Sequence, residues 1–328
     1  MSDVYPHWDP IERWRQDSRS SISFNSRLVI LQGFLRFHKT TAEGLLLLAR
    51  KMPSGIPQFE IEKMVADYLN DREKNGYANS TIAKEADIIS GFLRVNNVII
   101  KTPKKYFLKS TYEHRRVLTQ DEVREMLRAT KELEEQAVIC FEAQTAQRIG
   151  ILTGLTWDMI HRYPVEGTDK VYGVAEVMPE IVDRKGRHIN KTREHYSFGV
   201  HWESMRLLDK LKERRKVNDP FIWTMDKRRM QEAVSNAAKD AGIQKFQVRT
   251  LKVKGKKKRK WSEIHAHVFR RFWMAQMDTA GIKNEKLLDF QLGHAIKDST
   301  YRHGWFVDEK IVEAIKKADE QLRVLPSV

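Results

Sequence analysis

The sequence predicts a mainly α-helical protein with a small β-sheet, divided into two domains. Apolar residues recur at three- and four-residue intervals over most of the chain, which is the spacing of amphipathic helices. Sequence patterns typical of strands are confined to residues 171–200. Residues 101–116 carry a proline, many charges and no period, so they separate two periodic parts of the chain.

The N-terminal domain is predicted to be all-helical and to cover residues 22–100. Residues 1–21 are polar with scattered aromatics, and we expect them to form a loosely attached leader. Helical spacing is present in "SRLVILQGFLRFHK", "EIEKMVADYLNDREKNG" and "NSTIAKEADIISGFLRVNN". Residues 101–116 are then predicted to be an interdomain linker.

The second domain is predicted over residues 117–328. It opens with "LTQDEVREMLRA", where Thr119 and Glu122 have the spacing of a capping box ahead of an amphipathic run. Helical spacing continues to about residue 160 and resumes from about residue 202. Between them, "KVYGVAEVM" and "EHYSFGV" predict two strands separated by the basic turn "DRKGRHINKTR".

The last stretch of this domain predicts a C-terminal helix with one apolar stripe. We expect this helix to dock on a neighbouring protomer, with docking on its own domain as the alternative. The stripe consists of Ile311, Ile315, Ala318, Leu322 and Leu325.

The charge balance indicates a polyanionic partner. Fifty-nine Lys and Arg against 44 Asp and Glu give a net charge of +15, which favours nucleic acid over an acidic membrane. No apolar run approaches the roughly 18 residues that a spanning helix needs. Cys140 is the only cysteine, which excludes a disulfide framework and a thiolate metal site. With no secretion leader in the sequence, we expect a cytoplasmic protein.

A basic segment interrupts the C-terminal helices at "KFQVRTLKVKGKKKRK", residues 245–260. Nine of its sixteen residues are Lys or Arg and none is acidic. Apolar residues interleave with the charges, as in a β-hairpin with one solvated face, and a plain solvated loop is the alternative. Because the charges have one sign, we predict phosphate contacts. The DNA-binding candidates are Lys254, Lys256, Lys257, Lys258, Arg259 and Lys260.

Four separated segments carry the candidate catalytic residues. Arg148 stands in "TAQRIGILTGLTWDMI", where an arginine among apolar residues either faces an anion or extends to solvent from a core helix. His267 and Arg270 are three residues apart in "HAHVFRRFW" and would share one helical face. His294 and Tyr301 lie in "LGHAIKDSTY", where Tyr301 is either a nucleophile or a half-buried aromatic. The fourth candidate is a lysine of the β-turn.

This set of residue types suits a phosphodiester better than a metal. His265 and His267 are two residues apart, which does not place them on one helical face, and no carboxylate or cysteine accompanies them. We therefore expect no metal and no cofactor. Guanidinium groups match two phosphate oxygens and stay charged during a reaction. A tyrosine activated by such a positive site could attack phosphorus, with a lysine and a histidine moving protons.

The order Arg, Lys, His-x-x-Arg, Leu-Gly-His, Tyr resembles that of the tyrosine recombinase family, which includes phage integrases and Xer-like enzymes. "TAQRIGILTGLTWDMI" resembles the first-arginine motif, and "HVFRRFWMAQMDTAGIKNEKLLDFQLGH" resembles the second box. "NSTIAKEADIISGFLRVNN" is similar to the end of the family's helical, SAM-like core-binding domain. "RRVLTQDEVREML" is similar to the start of its α+β catalytic domain. The resemblance covers about residues 22–325.

The resemblance implies a role for each candidate. Arg148 and Arg270 would hold the scissile phosphate, and His294 would hydrogen-bond to it. His267 would be the proton-transfer partner and Tyr301 the nucleophile. For the lysine the resemblance favours Lys191, because "NKTREHYSF" resembles the turn before the family's third strand, and Lys185 is the alternative. Three positions depart from the family pattern. Ile151 replaces a frequent acidic residue, and Arg271 stands where a histidine commonly follows the second arginine. Tyr301 follows His294 by seven residues instead of about nine.

The implied function is site-specific DNA recombination through a 3′-phosphotyrosine intermediate and a Holliday junction, in the integration and excision of a mobile element. A type IB topoisomerase that relaxes DNA and a catalytically inactive DNA-binding protein are the alternatives. The implied partner is double-stranded DNA with paired recombination sites, bound by a homotetramer that is a monomer or dimer when free. We expect no membrane partner, and a location in the cytoplasm at the host nucleoid.

Overall fold

A computed structural model describes residues 9–17, 21–51, 56–101, 116–215, 218–244, 246–249, 259–262, 264–294 and 307–326. The chain divides into two compact units, Met1–Arg115 with Val248–Lys260 and Arg116–Gln247 with Trp261–Val328. The predicted domain boundaries stay predictions, because residues 102–115 lie outside the described residues. Helices predominate and the sheet is small, so the predicted fold class is confirmed.

Up to residue 101, the described part of the first unit is helical, as the apolar spacing predicts. The helices are α1 Pro10–Gln16, α2 Ser21–Phe37, α3 Ala42–Lys51, α4 Ile56–Lys74 and α5 Asn79–Val95. They share one core, whose largest buried side chains include Trp14, Phe24, Phe34 and Phe92.

Helix α1 corrects the expectation that residues 1–21 form only a loosely attached leader. Pro10 occupies the first turn and the Asp9 side chain caps the helix, accepting from the Ile11 N–H at 2.8 Å. Trp14 is 2% exposed and makes edge-on ring contacts with Phe24 and Phe92. Residues 10–16 therefore belong to the helical core, because burial of the Trp14 ring holds them there.

The second unit surrounds a three-stranded sheet with helices. The elements before and within the sheet are α6 Gln120–Ala129, α7 Leu133–Thr145, α8 Ile149–Leu152, a 3₁₀ turn Trp157–Met159, β1 Ile160–Pro164, β2 Val171–Val177 and β3 Tyr196–Val200. Those after it are α9 Trp202–Arg214, α10 Lys227–Asp240, α11 His267–Thr279, α12 Glu285–Gln291, α13 Asp308–Lys317 and α14 Asp319–Leu322. Two further strands, β4 Phe246–Arg249 and β5 Arg259–Ser262, are divided between the two units. The predicted capping box at Thr119 and Glu122 is present at the start of α6.

The sheet is antiparallel in the order β1-β2-β3, with Ile160 opposite Ala175 and Ala175 opposite Phe198. The two strands predicted over residues 171–200 are confirmed as β2 and β3, and β1 was not predicted. Every residue of β3 is buried, since α7, α12 and α13 pack against it. Strand β3 is therefore the part of the sheet that supports the candidate site. Strands β4 and β5 pair in a separate two-stranded sheet at the two ends of the basic segment.

The C-terminal helix corrects a second expectation. In α13 and α14, Ile311, Ile315 and Leu322 are at most 1% exposed and belong to the core of their own unit. The contact with β3 is close: a Cβ added at Gly199 would lie 2.4 Å from Ile315 Cγ1. Gly199 leaves room for α13 on the sheet, so the apolar stripe is buried within its own chain. The expected docking of this helix on a neighbouring protomer is therefore wrong, and the alternative, docking on its own domain, is what the structure shows.

None of the described helices is both long enough and apolar enough to cross a membrane.

Candidate functional site

Arg270 is the most buried of the candidate residues and has a fixed position. It lies in α11, one turn after the helix begins, and is 6% exposed. Its Nη1 donates to the Ala146 carbonyl at 2.7 Å, and its Nη2 donates to the Leu292 carbonyl at 3.1 Å. Nη2 also lies 2.9 Å from His294 Nε2. One guanidinium therefore links the end of α7, the end of α12 and the Leu-Gly-His corner.

Arg148 approaches the same corner from the other side. It is the N-cap residue of α8 and is half-buried, and its Nη1 donates to the Gly293 carbonyl at 3.3 Å. The preceding Ala146 has φ +56°, a left-handed conformation that turns the chain sharply between α7 and α8. The two arginines consequently donate to the carbonyls of consecutive residues, Leu292 and Gly293.

The charge of Arg148 acts on Arg270. Burial, followed by the positive charge of Arg148, lowers the pKa of Arg270 to about 10. Arginine side chains carry a positive charge in proteins, so two positive charges share a partly buried site. Such a site stabilises a bound anion with two or more oxygen acceptors, and a phosphate diester is such an anion.

His267 and Lys191 are the two remaining candidates whose surroundings are described. His267 is the first residue of α11, three residues before Arg270, so the helix places both on one face. Lys191 lies in the connection between β2 and β3 and its side chain is exposed. A local turn holds it, since the Thr192 N–H and hydroxyl both donate to Asn190 Oδ1, at 3.2 and 2.9 Å. The alternative, Lys185, is also exposed, in a tight turn closed by Asp183.

Several predicted residues lie where the structure gives no account of them. Tyr301 is outside the described residues, as are Lys254, Lys256, Lys257 and Lys258. Arg259 and Lys260 are in β5, where the backbone alone is described. The described geometry thus brings together Arg148, Arg270 and His294, with His267 one helical turn away.

Three solved structures each resemble more than nine-tenths of this chain. The Tn1549 transposon integrase in complex with transposon right end DNA matches with a TM-score of 0.56 at 12% identity, covering 94% of this chain and 98% of that one. A lambda integrase dimer bound to a COC′ core site matches with a TM-score of 0.53 at 15% identity, covering 97% and 96%. A lambda integrase tetramer bound to a Holliday junction also has a TM-score of 0.53 at 15% identity, covering 91% and 79%.

The chain has the tyrosine recombinase fold. No protein-family model and no curated protein matches the sequence. The likeness therefore lies in the three-dimensional arrangement, at identities between 12% and 15% for these three structures.

Within this tyrosine recombinase fold, three residues that the sequence did not single out form the floor of the site. Gln147 is fully buried, and its amide donates to the Gln291 carbonyl at 2.7 Å and accepts from the Tyr196 hydroxyl at 3.2 Å. The Gln291 side chain accepts from the Gly199 N–H at 3.1 Å, which fixes the end of α12 to β3. Gln147 could have been noticed as a polar residue next to Arg148.

Tyr196 fills the space beneath the Leu-Gly-His corner. A Cβ added at Gly293 would lie 2.7 Å from the Tyr196 ring, so only glycine permits this approach. Burial raises the pKa of Tyr196 above its usual range, although the charges of Arg148 and Arg270 oppose the shift. Tyr196 is therefore a neutral hydrogen-bond donor to Gln147 and supports the site from below.

Glu142 is a buried carboxyl group near the arginine pair. It lies in α7, is 0% exposed, and neither of its carboxyl oxygens has a hydrogen-bond partner among the described residues. Burial raises the pKa of Glu142 well above its ordinary value, while the charge of Arg270 acts in the opposite direction. A charged residue within the apolar run "AVICFEA" was the sequence signal for it.

Among the residues that the structure describes, no three His, Cys, Asp or Glu side chains are grouped so that they could hold a metal ion.

Proposed function

We propose that the chain is a site-specific DNA recombinase, an integrase that cuts and rejoins DNA strands during the integration and excision of a mobile element. The observation that carries this proposal is the convergence of Arg148 and Arg270 on the Leu-Gly-His corner of a tyrosine recombinase fold. Two guanidinium groups at one partly buried corner suit a phosphodiester, and the structural neighbours include integrases bound to DNA.

The proposed reaction is a transesterification at phosphorus. Arg148 and Arg270 hold the non-bridging oxygens of the scissile phosphate and stabilise the charge that develops on them. The Tyr301 hydroxyl oxygen attacks phosphorus and gives its proton to His267, while the bond from phosphorus to the 5′ oxygen breaks. Lys191 protonates the departing 5′ oxygen. The product is a 3′-phosphotyrosine, and attack by a 5′ hydroxyl from another strand reverses the step and releases Tyr301.

The proposed partner is double-stranded DNA with paired recombination sites. The net charge of +15 favours a polyanion. The basic segment, residues 245–260, supplies phosphate contacts through the candidate residues Lys254, Lys256, Lys257, Lys258, Arg259 and Lys260. Exchange of two duplexes through a Holliday junction needs four cleavages, which a homotetramer supplies with one tyrosine per subunit. A tetramer on a Holliday junction is the state named for the lambda integrase neighbour.

The test is covalent capture of DNA. A duplex from the DNA flanking the gene, nicked so that the cleaved fragment diffuses away, is incubated with the protein and analysed under denaturing conditions. We expect a protein–DNA adduct with the wild-type chain and its loss in Tyr301→Phe, with DNA binding retained, because only the attacking hydroxyl is removed. Tyr77→Phe, which removes a hydroxyl in the first unit, is the matched control and should still form the adduct.

An adduct that persists in Tyr301→Phe would contradict the assignment of the nucleophile. A plasmid assay then separates the reactions of the family. Recombination that requires two sites supports the proposal. Relaxation of supercoils without paired sites, or binding without any adduct, would replace it with a topoisomerase or an inactive DNA-binding protein.

A further inference from the structure

Asp289 is joined to His294 through both the backbone and the side chain. Helix α12 ends in a Schellman arrangement, since the His294 N–H donates to the Asp289 carbonyl at 3.0 Å and the Gly293 N–H donates to the Phe290 carbonyl at 2.9 Å. Gly293 has φ +61°, the left-handed conformation that this ending uses. The reversal brings the imidazole back over the last turn of the helix, where Nδ1 lies 2.7 Å from Asp289 Oδ1.

The neighbours of His294 determine the state of its two ring nitrogens. The Asp289 carboxylate can only accept a hydrogen bond, so Nδ1 carries the hydrogen. Arg270 can only donate, and its Nη2 lies 2.9 Å from Nε2, so Nε2 presents its lone pair. A neutral His294 is therefore the Nδ1–H tautomer, with one partner at each end of the ring.

The other tautomer would disturb the phosphate site. A hydrogen on Nε2 of the neutral ring would face the Arg270 N–H, and two donors cannot share this 2.9 Å contact. Arg270 would then have to withdraw from a position that it holds through the carbonyls of Ala146 and Leu292. The carboxylate at Nδ1 thus acts on the guanidinium through the intervening imidazole.

We propose that Asp289 is a positioning residue for DNA cleavage, which holds His294 in the Nδ1–H tautomer so that Nε2 keeps the Arg270 fork in place. The effect on cleavage rests on the proposed function, whereas the tautomer is a property of the protein alone.

The first experiment reads the tautomer without DNA. The full chain is labelled with ¹⁵N-histidine, His294→Gln identifies the His294 signals, and long-range ¹H–¹⁵N spectra report which nitrogen is protonated. We expect the Nδ1–H form in the wild-type chain, a fall in its population in Asp289→Ala, and its recovery in Asp289→Glu. The control Asp278→Ala, at an exposed carboxylate in α11, should leave the His294 signals unchanged. An Nε2–H wild-type ring, or full retention of Nδ1–H in Asp289→Ala, would overturn the proposal.

The second experiment measures the rate of adduct formation with the same variants. We expect Asp289→Ala to cleave about 10–100-fold more slowly, the range found when a group that orients a metal-ligating histidine is lost. DNA affinity should be unchanged, and Asp289→Glu should restore most of the rate. If the wild-type chain forms no adduct, the proposed function fails while the tautomer result stands. If the wild-type chain cleaves and Asp289→Ala matches its rate despite an altered tautomer, the positioning role is wrong.

Discussion

Asp319 fixes the C-terminal segment to its own unit, and its removal should strongly destabilise the fold. The carboxylate is at the start of α14 and its side chain is 14% exposed. Its two oxygens accept hydrogen bonds from five side chains, at distances of 2.6 Å for the Tyr172 hydroxyl, 2.7 Å for Trp202 Nε1, 3.0 Å for His201 Nε2, 3.1 Å for Lys170 Nζ and 3.1 Å for Arg323 Nε. We predict that Asp319→Ala releases this segment.

The magnitude follows from the donors that the change leaves behind. Tyr172 and His201 are 3% and 0% exposed, so water cannot replace the lost acceptor, and each unsatisfied donor costs about 1–3 kcal/mol. Lys170 loses its counter-charge as well, and breaking one side of a buried charged network costs about 3–5 kcal/mol in all. At about 2–4 °C per kcal/mol for a unit of this size, the melting temperature should fall by roughly 6–20 °C.

The assay is urea unfolding of the wild-type chain and Asp319→Ala, with Asp209→Ala as the matched control. Asp209 also binds an arginine through both oxygens, at 2.7 and 2.8 Å from Arg162, but this pair is 41% and 49% exposed. The control should therefore lose less than about 1 kcal/mol. Equal losses in the two variants, or a loss below 1 kcal/mol in Asp319→Ala, would refute the buried network as the anchor of α14.

The difference in the free energy of unfolding between the wild-type chain and Asp319→Ala should depend on pH. Burial alone would raise the pKa of Asp319, but hydrogen bonds from His201 and Tyr172, then from Arg323 and Lys170, hold it well below its usual range. A carboxyl with a depressed pKa in the folded state stabilises the protein above its unfolded pKa of about 3.9 and loses this contribution as the pH falls further. The difference in the free energy of unfolding between the wild-type chain and Asp319→Ala should therefore become smaller in strong acid.

Two more substitutions test the site. Gly293→Ala should cost about 2–5 kcal/mol, since it adds left-handed backbone strain and a clash with the Tyr196 ring. The control Gly186→Ala, at φ +70° with open space around it, should lose only the stability that backbone strain costs. Equal losses of stability in the two variants would show that the clash with Tyr196 contributes nothing. Glu142→Gln should gain stability over the wild-type chain as the pH rises. The raised pKa of Glu142 means that the wild-type chain loses stability above about pH 4.3, where the unfolded carboxyl ionises and the folded one does not. A difference between the two unfolding curves that does not change with pH would contradict this assignment.

The sequence predicted those elements whose formation depends on local patterns. Helix α6 has a capping box, α5 has a continuous apolar face, and β2 and β3 are rich in β-formers. Strand β1 was missed because only two of its five residues are even partly buried, so no alternating pattern marks it. Helix α1 was missed because the burial of Trp14 depends on Phe24 and Phe92, which are distant in the sequence.

In the candidate site as well, some residues were predicted from the sequence and others were found only in the folded structure. Arg148, Arg270 and His294 were recognisable because few other roles suit these residue types in that order, and the fold brings the three together. Gln291 precedes the Leu-Gly-His motif and Tyr196 lies in the strand-like "EHYSFGV", but neither position in the sequence by itself indicates a supporting role. Their contribution appears only when α12 lies on β3, which places the Tyr196 ring beneath Gly293. Tertiary packing determines which residues support a site, and local sequence patterns do not predict that packing.

The arginines differ in a way that bears on how the site receives a phosphate. Arg270 donates to the carbonyls of Ala146 and Leu292, which are the C-cap residues of α7 and α12. Carbonyls at helix C-termini lack intrahelical donors and carry the negative end of the helix dipole, so folding itself holds this buried cation in place. Arg148 has one longer bond, 3.3 Å to the Gly293 carbonyl, and is only half-buried. A phosphate that approaches this corner would therefore find one guanidinium already fixed and one that exchanges a weak contact for a charged one. Most of the free energy needed to place the two guanidinium groups side by side is then supplied when the chain folds, before any phosphate binds.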